Sequence, residues 1–83
     1  MSRQKILIVE DEIVIRTSLK KFLEKQSFLI EEAESLKAAL RFNLQDFALI
    51  ITDLRLPGPS GTDIIKDAME VPVLVMTSYA SVT

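Results

Sequence analysis

Four short apolar runs, each ended abruptly by polar residues and separated by stretches of a different period, constrain this chain more than any other feature. They are Ile6-Leu7-Ile8-Val9, Phe28-Leu29-Ile30, Phe47-Ala48-Leu49-Ile50-Ile51 and Val71-Pro72-Val73-Leu74-Val75-Met76. The first and third are apolar at every position and rich in branched side chains, as buried strands of a parallel sheet are. The second turns polar at Glu31 and Glu32, which places it near a sheet edge. Pro72 is tolerable only at the start of the fourth strand, because it has no amide to give to a ladder.

Between these runs the period becomes helical. From Glu12 to Gln26, Ile15, Leu19, Phe22 and Leu23 fall at i, i+4, i+7 and i+8, with Arg16, Lys20, Lys21, Glu24 and Lys25 on the other side. That is an amphipathic helix of about four turns. Ser35 is placed to N-cap a second helix, whose Leu36, Ala39, Leu40 and Leu44 repeat at helical spacing. Ser60 and Asp63 have the spacing of a capping box for a third helix burying Ile64, Ile65, Ala68 and Met69.

The resulting order, β-α-β-α-β-α-β with short connections, specifies an α/β fold: an open parallel sheet with right-handed crossovers and helices on both faces. At 83 residues the chain is one domain, 1–83. It has no cysteine and no histidine, so disulfides and the Ser-His-Asp and Cys-His hydrolytic arrangements are excluded. A net charge of −2 argues against direct binding to nucleic acid or anionic lipid through charge. The apolar runs are too short to cross a bilayer and the N-terminus lacks a signal-peptide layout, so a cytoplasmic protein is expected.

In an open parallel sheet, ligands bind beyond the carboxyl ends of the strands, where the strand order reverses. Glu10 and Asp11 leave the first strand there, Asp53 the third, and Thr77 and Ser78 the fourth. If the first and third strands are neighbours, roughly 4.8 Å separates them, and their acids converge on one small pocket. Taken singly, each residue has a plainer explanation: Asp11 as a helix N-cap, Glu10 and Glu12 as solvated partners of the helix dipole, Asp53 as a turn residue, Thr77 as a loop hydroxyl. Together, acids ending two buried strands and a hydroxyl ending a third point to a site. Clustered carboxylates repel by about 1 kcal/mol per pair even at water-like dielectric, and an all-oxygen set with room for water suits Mg2+. A cation there makes phosphoryl transfer to a carboxylate feasible. A nucleotide loop is disfavoured, because Glu10-Asp11-Glu12 stands where glycines would.

Three segments resemble the receiver domain of two-component response regulators: Lys5-Ile6-Leu7-Ile8-Val9-Glu10-Asp11-Glu12, Asp53-Leu54-Arg55-Leu56-Pro57-Gly58-Pro59-Ser60-Gly61 and Val73-Leu74-Val75-Met76-Thr77-Ser78-Tyr79-Ala80. The match runs over essentially the whole chain, in order. The resemblance implies a flavodoxin-like receiver topology, with Asp53 accepting a phosphoryl group from the phosphohistidine of a sensor histidine kinase. It implies Mg2+ held by Asp11, by Glu10 directly or through water, by Asp53 and by the backbone carbonyl of Arg55, and Thr77 as the switch hydroxyl. Pro57 and Gly61 shape the loop after the acceptor. The segment from Thr77 onward is most similar to receivers of enhancer-binding transcription activators.

Members of that family continue through a fifth strand and helix and carry a lysine after the fifth strand. This sequence stops at Thr83 and its last lysine is Lys66, so the domain is expected to be C-terminally incomplete and its phosphorylation impaired. The fourth strand then becomes an apolar edge, from which a homodimer through that strand or an exchanged element is expected. The leading expectation is a Mg2+-dependent phosphoacceptor module rather than a turnover enzyme. Its alternatives are a pseudo-receiver serving only dimerisation or interaction, and a phosphohydrolase, which Arg55 disfavours because such an enzyme wants a second acid there.

Overall fold

The computed structural model describes residues 4–53 and 62–76. Their four strands are β1 (Lys5–Val9), β2 (Leu29–Ala33), β3 (Leu49–Asp53) and β4 (Val73–Met76). All pair in parallel, in the order β2-β1-β3-β4. The helices are α1 (Ile13–Lys25), α2 (Leu36–Ala39) and α3 (Thr62–Ala68), with a 3-10 turn at Leu44–Asp46 between α2 and β3. The doubly wound parallel architecture is the one the alternating pattern requires.

Successive side chains of a strand point to opposite faces of the sheet, and β1 is buried on both. Leu7 and Val9 join Ile50 in a core closed by Leu36 and Ala39 of α2 and by Ile64 and Ala68 of α3. Ile6 and Ile8 join Ile51 on the other face, beneath Leu19 and Leu23 of α1. This two-sided burial is why the first run contains no polar residue. β2 pairs with β1 alone among the described strands, which accounts for Glu31 and Glu32 in its sequence.

Four sequence expectations need correction. Phe22 is 60% exposed rather than part of the buried face of α1. The contact line of α1 runs through Leu19 and Leu23, and Phe22 lies about 60° and 100° around the helix from them, on its flank. Second, α2 stops at Ala39 instead of continuing through Leu44. The next amides turn back by three residues, Arg41 to Ala38 and Phe42 to Ala39. Asn43 then caps a new turn by accepting the Gln45 N–H, which leaves Leu40 exposed while Leu44 is buried from a separate element. Third, Met69 is exposed, because α3 ends at Ala68 and Met69 takes φ 57°, off the helical face. Fourth, three strands begin later than their apolar runs: Phe28 precedes β2, Phe47 is buried just ahead of β3, and Pro72 precedes β4 and accepts the Ile50 N–H. The expected capping pair Ser60–Asp63 and the Ile65 side chain lie outside the described residues.

The end of α1 fixes where β2 begins. Ser27 has φ 72°, in the left-handed region. Its N–H donates to the Glu24 carbonyl at 3.0 Å and the Phe28 N–H to the Leu23 carbonyl at 3.3 Å. This is the paired-bond C-terminal motif that ordinarily places glycine at the left-handed position, and here Leu23 and Phe28 pack in the same cluster beneath it. A residue bearing a Cβ costs about 1–2 kcal/mol in that conformation. Glycine removes the cost but gives back part of it as unfolded-chain entropy. Ser27→Gly is therefore expected to stabilise the protein by up to about 1 kcal/mol, raising the thermal midpoint by a few degrees; a lowered midpoint by circular dichroism would contradict this account of the turn.

Candidate functional site

The strand order reverses between β1 and β3: the chain leaves β1 for β2 on one side and β3 for β4 on the other. A crevice opens at the carboxyl ends of these two strands. Their register pairs Ile8 with Ile51 and Val9 with Thr52, so the next step along the ladder brings Glu10 level with Asp53. Glu10 is two residues past Ile8, and Asp53 two past Ile51, so both continue the face on which those isoleucines lie. Carboxylate oxygens of Glu10, Asp11 and Asp53 all come within 4.8 Å of one another. Glu10 (0% exposed) and Asp53 (2% exposed) are buried, while Asp11 is exposed.

Glu10 is held from several directions. Its N–H donates to the Ala33 carbonyl at 3.0 Å, extending the β1–β2 ladder one residue past the strand. Its Oε2 accepts the N–H of Glu12 at 3.0 Å. Glu12, not Asp11, is the N-cap of α1, and its side chain makes no capping bond. The Glu10 carboxyl therefore occupies an amide at the start of the helix, and Asp11 is not engaged as the cap. The other Glu10 oxygen, Oε1, is buried with no hydrogen-bond partner.

This environment pushes the Glu10 pKa up from 4.5 to about 7. Burial is the largest cause, since it penalises the charged form. The Glu12 N–H opposes it, whereas the neighbouring carboxyls of Asp11 and Asp53 push the same way as burial. Buried polar atoms are ordinarily paired, so the orphaned Oε1 beside two further carboxylates calls for a proton or a cation. Three carboxylates offering hard oxygen ligands fit a small divalent cation such as Mg2+.

Of the residues expected from sequence, Glu10, Asp11 and Asp53 are thus brought together. Arg55 and Thr77, with Pro57 and Gly61, lie outside the described residues. One participant was not anticipated. Arg16, assigned by periodicity to the polar side of α1, donates to the Glu10 carbonyl and pairs with Glu32. Only the 3.6-residue period bears on Arg16 in the sequence, and no local pattern links it to a glutamate on another strand.

Comparison with known proteins gives a consistent result. Residues 6–83 match the response regulator receiver domain family. The transcriptional regulatory protein ResD of Bacillus subtilis is 35% identical over 78 residues, covering 89% of this chain and 32% of ResD. The chain thus spans about a third of that relative's length. The non-phosphorylated HemR receiver domain from Leptospira biflexa superposes with a TM-score of 0.82 at 32% identity, covering 96% of this chain and 68% of that one. Response regulator TrrA from Thermotoga maritima, solved in complex with Mg2+-BeF, gives 0.81 at 32% identity, covering 93% and 71%.

The Glu10 shift fixes the sign of a pH effect. A carboxyl whose pKa is raised on folding binds more protons folded than unfolded between the two values. Its contribution is therefore complete below about pH 4.5 and is lost as the pH rises through about 7. In metal-free protein, stability is expected to fall across this window, and Glu10→Gln is expected to flatten the decline. Denaturant titrations at pH 5, 6, 7 and 8 check this (~1 pH unit steps are ample for a single titration); equal slopes for the two proteins would refute it.

Proposed function

The chain belongs to the response regulator receiver domain family, and on that premise we propose that it is a phosphoacceptor of two-component signalling, with Asp53 as the acceptor. The observation that carries this reading is the meeting of Glu10, Asp11 and Asp53 around a buried, unpartnered Glu10 oxygen at the strand switch. Receiver domains of response regulators are phosphorylated by sensor histidine kinases, and such a kinase is the proposed donor. An oxygen of the Asp53 carboxylate bonds to phosphorus as the bond from phosphorus to the donor imidazole nitrogen breaks. The nitrogen keeps the electron pair and later takes a proton from water. Hydrolysis of the acyl phosphate afterwards returns the carboxylate and inorganic phosphate.

Glu10, Asp11 and Asp53 are the residues that would hold Mg2+, with the Arg55 carbonyl proposed as a further oxygen ligand. When bound, the cation offsets the repulsion between an anionic phosphoryl group and an anionic acceptor. The protein's share is to hold Asp53 on the last residue of a buried strand and to direct Glu10 toward it. Thr77, which follows β4, is proposed as the hydroxyl that answers phosphorylation. The module is read as cytoplasmic, with transcription as its output through another segment or partner, in line with the regulatory name of ResD. Among the described residues no helix is long and apolar enough to cross a membrane.

Incubation with Mg2+ and a small acyl-phosphate donor is expected to add one phosphoryl group, slowly and incompletely, mapped to Asp53 by mass spectrometry. Chelation of the metal or Asp53→Asn is expected to abolish the addition. A protein that bound Mg2+ and took up no phosphate would instead be a pseudo-receiver serving interaction alone.

A second copy of the chain is the proposed partner at β4. Among the described strands, β4 pairs only with β3, and it carries Leu74 and Val75, both exposed and uncharged, one on each face. The opposite edge, β2, bears Glu31 and Glu32, and pairing with its own copy would set like charges together. Two β4 edges meeting about a two-fold axis bring no charge into register. Light scattering at high micromolar concentration is expected to report a dimer, and Val75→Lys to weaken self-association about tenfold or more; a monodisperse wild-type monomer would overturn the proposal.

A further inference from the structure

Arg16 sits on the first turns of α1 with its side chain only 15% exposed. Nη1 donates to the Glu10 carbonyl at 2.7 Å, and Nε donates to Oε1 of Glu32 at 3.1 Å. The second Glu32 oxygen accepts from Lys20 Nζ at 3.3 Å. Glu32 itself stands opposite Ile8 in the β1–β2 register. One guanidinium therefore connects the helix, the residue that leaves β1 and the edge strand.

The consequence falls on Glu10. Its N–H is taken by the Ala33 carbonyl and its C=O by Arg16, so the peptide groups on both sides of its Cα are fixed. With the main chain fixed, the Cα–Cβ bond of Glu10 is aimed, and the bond from the Glu12 N–H to Oε2 then holds the carboxyl. Arg16 acts at the carbonyl rather than at the carboxyl. Its charge is paired with Glu32, and its bond to Glu10 is at the main chain.

We propose that Arg16 is a positioning residue: by tying the Glu10 carbonyl to Glu32 on β2, it holds the Glu10 carboxyl in the orientation from which it ligates a divalent cation. The inference rests on the reading of Glu10, Asp11 and Asp53 as a cation site. It requires the planar fork of arginine, which serves two acceptors in fixed directions. A lysine ammonium restores the charge but not the fork.

Two measurements on the full chain test it: Mg2+ affinity by calorimetry, and hydrogen exchange of the Glu12 amide in metal-free protein. Partners that orient a metal ligand typically change affinity 10–100-fold when removed. Arg16→Met and Arg16→Lys are expected to weaken Mg2+ binding by about tenfold or more, and to lower Glu12 protection while the amides of β1 and β3 stay protected. Lys20→Ala, which removes only the second cation on Glu32, is expected to leave both readouts unchanged. Should Arg16→Met fail to fold, Arg16→Lys decides the matter. Wild-type affinity and Glu12 protection in Arg16→Lys would overturn the positioning role, as would an equal loss in Lys20→Ala or a loss of protection spread evenly over the sheet. Wild-type protein that bound no Mg2+ would overturn the cation-site reading itself, and with it any role for Arg16 toward a cation.

Discussion

The parallel pairing of β1 with β3 is the constraint on which the rest of the molecule depends. It sets Val9 against Thr52 and so brings the first residue beyond β1 level with the last residue of β3. A register slip of one residue would send every side chain of a strand to the opposite face. Here that would expel Ile6 and Ile8 from beneath α1 and set Glu10 and Asp53 on different faces. The same hydrophobic alternation that assembles the two cores therefore also assembles the acidic site, and neither can be displaced without the other.

The site is costly for the fold that contains it. Glu10 is enclosed with one oxygen unpaired, next to two further acids, and its raised pKa expresses the penalty of charging it there. The surrounding structure holds this arrangement with main-chain contacts: the ladder bond to Ala33, the Glu12 amide and the Arg16 bond to the Glu10 carbonyl. A buried carboxyl held by fixed partners, with one oxygen left unpaired, lowers the stability of the fold that holds it. The ion pair of Glu32 with the more exposed Lys20 adds little energy of its own, while the pair with Arg16 is the better shielded of the two. Their value is in fixing where α1 meets β2.

The two edges of the sheet differ in chemistry as well as in position. β2 carries glutamates and is braced by α1, whereas β4 carries Val73, Leu74, Val75 and Met76 with only β3 beside it among the described strands. An apolar edge is the more adhesive of the two. The short apolar runs were enough to find the strands, but β3 and β4 each begin about two residues inside their runs. Phe47 and Val71 pack against the core without taking ladder positions, and apolar character alone cannot separate those two roles.

What the sequence determined by itself follows from local periodicity. The unbroken run Ile6–Val9 had to lie between two layers, the step to Glu12–Gln26 had to be an amphipathic helix, and the acids had to emerge at strand ends, because period and polarity act between near neighbours in the chain. What only the tertiary structure decided depends on groups far apart in sequence. The strand order put Glu10, Asp11 and Asp53 within 4.8 Å. The line of contact between α1 and the sheet left Phe22 outside and drew Arg16 inward to the Glu10 carbonyl. The left-handed turn at Met69 removed from the core a side chain whose spacing had placed it there. In each case the outcome was set by which surfaces met, and a pattern of single-residue preferences holds no record of that.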